Sequence, residues 1–192
     1  MEHEIREIIN RNGYEFYEEY FKNHLDDWNI LCISMDTIGD TTLAVEYFKE
    51  TGIGQDVGEN YLKLYGLLQA IYLQQDAIKF LFQVIKKCFD EKNELRDWSV
   101  YQKESWNELR SYRNLSVGHP IENKMFERGR TKRASISQIT ISSDGFQLVI
   151  WDAVTGSDQF QDIQLKDLIE SYLSEAKEIL VDVENFLRNY VF

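Results

Sequence analysis

Apolar residues recur along most of the chain at steps of three and four, the spacing by which a helix buries one side. Ile5, Ile8 and Ile9, then Phe16, Tyr17, Tyr20, Phe21, Leu25 and Trp28, predict helix from residue 2 to about 28, kinked or divided at Gly13. Asp40-Thr41-Thr42 offers N-cap chemistry for a short helix from Leu43 to Glu50, ended by Gly52 and Gly54. From Val57 the positions Tyr61, Leu64, Leu68, Ile71, Gln75, Ile78, Phe82, Ile85 and Phe89 alternate steps of four and three, which predicts one long helix of a bundle. Gln75 stands where that seam calls for an apolar side chain, with Gln74 and Asp76 beside it. A buried amide needs hydrogen-bond partners. Either Gln75 is a core glutamine satisfied locally, or Gln75 or Asp76 points at a pocket shared with Arg113.

Residues 90–99 read as a charged loop, and Ser99 can cap a helix running through Trp106, Leu109 and Tyr112 to about Val117. Arg110 and Arg113, three apart, share one face of it. Gly118 and Pro120 end it, because proline lacks the donor that would continue the ladder. The period then drops to two. Ile139 and Ile141, the turn Ser143-Asp144-Gly145, and Phe146, Leu148 and Ile150 read as a hairpin. Thr155-Gly156-Ser157-Asp158 is a second turn, with a third short strand near Phe160–Ile163. Leu165, Ile169, Tyr172, Ala176, Ile179, Val183, Phe186 and Tyr190 restore the four-three seam in a final helix. The predicted fold is one mainly α domain over residues 1–192. It is an up-and-down bundle of about five helices with a β-hairpin of two or three short strands, 134–163, inserted before the C-terminal helix.

Composition narrows the picture. A single proline in 192 residues agrees with long uninterrupted helices. A net charge of −12 argues against coating long duplex DNA, but it leaves room for a focused basic site. Residues 121–133 are that exception, with Lys124, Arg128, Arg130, Lys132 and Arg133 set against Glu122 and Glu127, a local balance of +3. This stretch is either a solvated loop or an approach surface for polyanions. Cys32 and Cys88 match no metal-binding spacing, and only His3, His24 and His119 are available as imidazoles, so neither a metal nor another cofactor is expected. No basic, apolar leader opens the sequence and no apolar run reaches membrane length. The expectation is a cytoplasmic protein with no membrane contact.

Glycine-rich phosphate loops, GxSxG and HExxH are absent. Chemistry concentrates instead in Arg113-Asn114-x4-His119. A guanidinium matches phosphate oxygens with a fork of donors, and an imidazole moves protons near neutral pH. RNA carries its own nucleophile, the 2′-hydroxyl, so charge stabilisation and proton transfer suffice for cleavage without a metal. On an unbroken helix His119 would lie about 240° around and roughly 9 Å along the axis from Arg113. The break at Gly118-His119-Pro120 lets the chain turn back, or lets His119 serve a site shared with another subunit.

Arg-Asn-x4-His after a helix, within a helical bundle, resembles the HEPN superfamily, whose hallmark is an arginine, a polar residue and a histidine four to six residues later. The resemblance implies a metal-independent endoribonuclease in which two protomers bring their motifs together, acting as a toxin of a toxin–antitoxin pair, in phage defence or in RNA processing. It implies that Arg113 stabilises the phosphate, that His119 acts as general acid and base, and that Asn114 orients the pair. Arg110 is then a second phosphate contact, and Lys124, Arg128, Arg130, Lys132 and Arg133 guide RNA in. The implied partners are RNA, a second copy of the chain and a cognate antitoxin. Other readings stand beside this one. A non-catalytic HEPN-like module could bind a partner protein or nucleotide. In an ordinary helical protein, His119 would cap a helix end and Arg113 would pair with an acidic residue.

Overall fold

The computed structural model describes residues 2–11, 13–90, 94–101, 103–118, 132–152 and 154–190. The fold is mainly α, with six helices among these residues and a small antiparallel sheet before the C-terminal helix. Helix α1 spans Glu2–Arg11, and α2 is a single turn, Gly13–Phe16, continued by a π turn over Tyr17–Phe21. Then come α3 (Leu25–Thr51), α4 (Val57–Phe89), α5 (Glu104–Arg113) and, after the sheet, α6 (Leu165–Tyr190). Helix α4 has the bounds that its seam predicts. No described helix is long and apolar enough to cross a membrane.

Helix α3 runs unbroken through the stretch expected to cap a separate short helix. Thr41 and Thr42 do not cap. Their hydroxyls donate backwards, to the carbonyls of Thr37 at 2.6 Å and Ile38 at 2.7 Å, as threonine does inside a helix. Gly52, at φ +63°, provides the left-handed residue that ends the helix. Helix α5 likewise starts at Glu104 rather than Ser99, because Trp98–Tyr101 form a 3₁₀ turn.

The chain divides into two compact units, and α3, α4 and α6 each contribute to both. The first comprises residues 1–43, 73–103 and 173–192. Its interior holds Ile5, Phe21, Leu31, Ile78, Phe82, Phe89 and Val183, all at or below 1% exposure. Gln74 is buried there and donates to the Thr42 hydroxyl at 3.0 Å. A polar clasp closes one side. Arg96 donates to Asp182 and to Glu178, and Lys103 donates to Glu178. The buried Tyr101 hydroxyl donates to Asp182 at 2.6 Å.

The second unit comprises residues 44–72 and 104–172. Trp106 packs against Tyr172 with ring centroids 5.5 Å apart, beside the buried Leu64, Leu68 and Leu109. The sheet order is β1 (Lys132–Ile136), β2 (Gly145–Asp152), β3 (Ser157–Gln164), antiparallel throughout. Leu148, Phe146, Ile136 and Ile163 bury its inner face, and the Tyr61 hydroxyl donates to the Ile136 carbonyl at 3.1 Å. The first strand lies earlier than the Ile139–Ile141 alternation predicts. Thr140 is the reason: its hydroxyl donates to the Ser137 carbonyl at 2.8 Å and accepts from the Gln147 amide at 3.0 Å. That local pairing replaces the ladder and winds Gln138–Thr140 into a 3₁₀ turn, leaving Ile139 94% exposed.

Burial first, and then the Asp182 acceptor, pushes the Tyr101 phenol up to about 12. A raised folded-state pKa means that folding favours the neutral phenol. Its contribution is complete below about pH 10 and is lost as pH rises through about 12. Tyr101→Phe is expected to cost about 1 kcal/mol at neutral pH and to flatten the alkaline loss, read from urea midpoints across that range.

Candidate functional site

Helix α5 is fixed by one buried face, Trp106, Leu109 and Tyr112. Arg110 and Arg113 lie on the neighbouring face, half-buried, and both turn towards Tyr72 of α4. The Arg113 guanidinium carbon is 4.0 Å from the Tyr72 ring centroid and that of Arg110 is 4.3 Å from it. Ring quadrupoles attract cations at this range, so a single phenol draws two like charges to one place. Sequence periodicity anticipates that the arginines share a face; it does not anticipate the ring.

Hydrogen bonds fix the orientation of Arg113. Its Nε and Nη2 donate to Gln69 Oε1 at 3.0 and 2.9 Å, and its Nη1 donates to Asn114 Oδ1 at 3.0 Å. All three acceptor contacts are to neutral amides. Among the described residues no carboxylate pairs with Arg113, so its charge is oriented without being cancelled.

The helix changes pitch at this point. Asn114–Gly118 form a π turn, with Ser116 donating back to the Tyr112 carbonyl at 2.6 Å. Such turns are uncommon and shift the phase of the residues after them, so regular-helix geometry does not extend past Arg113. Gly118 lies against the guanidinium. A Cβ there would sit 2.6 Å from Arg113 Nη1 and 3.3 Å from its Cζ. The glycine leaves room for the arginine to fold over its own turn.

The structure thus gathers Arg110, Arg113 and Asn114 and adds Gln69, Tyr72 and Gly118 to them. Gln69 lies one step off the apolar seam of α4, with Tyr72 three residues later on the same side; a polar and an aromatic residue flanking a seam was the available signal. Gln75, fully buried, and Asp76, half-buried, belong to the other unit. Lys132 and Arg133 open β1, and Arg133 is exposed. His119, Lys124, Arg128 and Arg130 lie outside the described residues. No family model matches the chain, and no curated protein or solved structure does. The reading of this site therefore rests on its own geometry and on the motif that carries it.

Gln69→Leu removes both hydrogen bonds from a half-buried cation while keeping the volume. The expected loss is roughly 1–2 kcal/mol in urea unfolding; an unchanged midpoint would show that the guanidinium is not held by Gln69.

Proposed function

We propose that the chain is a metal-independent endoribonuclease of HEPN type, acting as a homodimer in the cytoplasm, in a toxin–antitoxin or phage-defence setting. The observation that carries the reading is the state of Arg113: half-buried, held by amides and an aromatic ring, and still carrying a full positive charge that faces no described carboxylate. A cation prepared in this way suits a phosphodiester, because its donors are aligned before negative charge develops on the phosphoryl oxygens.

In this reaction the 2′-oxygen of one nucleotide attacks the adjacent phosphorus, and the bond to the 5′-oxygen of the next breaks. The products are a 2′,3′-cyclic phosphate and a free 5′-hydroxyl. One proton leaves the attacking hydroxyl and one reaches the departing oxygen. His119 is assigned to these transfers, with one copy from each protomer available as acid and base. Arg113, with Arg110 beside it, stabilises the phosphoryl oxygens, and Asn114 keeps the arginine directed. Gln69 and Tyr72 are positioning residues. The basic residues from Lys124 to Arg133 attract the polyanion to an otherwise acidic protein.

The test is cleavage of single-stranded and structured RNA in EDTA. Arg113→Ala and His119→Ala are each expected to lower the rate about 100-fold or more. Gln69→Glu separates positioning from charge: it retains an acceptor for Arg113 and so preserves stability, but it supplies a counter-charge and is expected to lower cleavage roughly tenfold. Cleavage unaffected by His119→Ala removes the nuclease reading and leaves a binding module.

A further inference from the structure

The sheet buries one face and exposes the other. Its register places Arg133 beside Trp151 and Trp151 beside Asp158 on the open side, with Ser135, Val149 and Phe160 forming the next row. An antiparallel sheet facing water is ordinarily polar on that side. Here Phe160 is 64% exposed and Trp151 is 37% exposed. They are diagonal neighbours on adjacent strands, close enough for both rings to meet one extended ligand. The Arg133 guanidinium lies 5.5 Å from the Trp151 ring centroid and pairs with no acidic residue among those described.

We infer that this open face is a stacking platform for the unpaired bases of single-stranded RNA. Every base offers a π face, so exposed aromatics bind single strands without reading sequence, and a guanidinium on the same face adds phosphate contact and stacking of its own. Charge sets the direction. β1 edges the sheet on one side, and its first two residues, Lys132 and Arg133, end the basic stretch 121–133. β3 edges it on the other side with Asp158 and Asp162, the latter held by the Gln147 amide at 2.8 Å. Phosphates therefore run along the β1 side and bases lie towards Trp151 and Phe160. A duplex hides its base faces and is excluded.

The choice of RNA rests on the nuclease reading, but the binding does not depend on catalysis, and the experiment separates the two. The probe is a fluorescein-labelled 2′-O-methyl oligouridylate, which lacks the attacking hydroxyl, titrated into the intact chain and followed by anisotropy. Trp151→Ala and Phe160→Ala are each expected to weaken binding roughly tenfold with unchanged circular dichroism. Arg133→Gln is expected to reduce the salt dependence by about one counterion, and a duplex probe is expected to bind at least about tenfold more weakly than the single strand. Absence of binding by the unmodified chain, or binding that both aromatic substitutions leave unchanged, overturns the platform. So does a change confined to self-association, which would assign the face to a second copy of the chain. Platform binding without cleavage of ordinary RNA overturns the nuclease reading alone. Cleavage with the same KM in Trp151→Ala overturns the platform alone.

Discussion

A guanidinium stays charged at every pH a folded protein meets and presents five N–H donors, so even partial burial commits the surrounding chain to supplying acceptors. Around Arg113 that demand is met by Gln69 from α4, by Asn114 from the adjoining turn, and by the face of Tyr72. Each of these leaves the charge intact. A carboxylate in the place of Gln69 would hold the arginine as firmly and would spend its positive charge on the protein itself. In a chain with 33 acidic residues, a neutral cradle at this position is a chemical choice with consequences for anions.

The cradle depends on two departures from regular helix. α5 gives way to a π turn at Asn114, and Gly118 at the end of that turn offers backbone where another residue would place a Cβ against Nη1. Regular-helix spacing therefore does not describe the residues from Asn114 to Gly118. Local pitch, rather than the length of the spacer, sets the geometry after Arg113. Tyr72 adds a second constraint. By attracting both Arg110 and Arg113 it concentrates positive charge on one patch of a protein whose net charge is −12.

The sheet shows how small polar groups decide what a hydrophobic pattern leaves open. Ile139 and Ile141 have the alternation of a strand, yet the Thr140 hydroxyl bridges Ser137 and Gln147 and winds the segment into a 3₁₀ turn. Pairing begins instead at Lys132–Ile136, which brings Arg133 over Trp151 on the open face. In α3 the same chemistry acts in the opposite direction. Threonine hydroxyls that could start a helix bond backwards to carbonyls and let it continue.

The sequence by itself determined the mainly α class, the full extent of α4 and α6, the placement of a small antiparallel sheet before the last helix, and the shared face of Arg110 and Arg113. These features follow from periodicity, which is a property of neighbouring residues, and long periodic segments leave little choice of element. Tertiary structure alone decided that Gln69 and Tyr72 complete the arginine cradle. Those partners are 44 and 41 positions from Arg113 in the chain, and nothing local in a glutamine marks it as the acceptor for a distant cation. It also decided that α3 continues past Thr42 and that Gln138–Thr140 leave the sheet, because Ser and Thr hydroxyls serve equally as caps, as helix-interior donors and as turn bridges. Which role each one takes depends on the carbonyl that the folded chain places within reach.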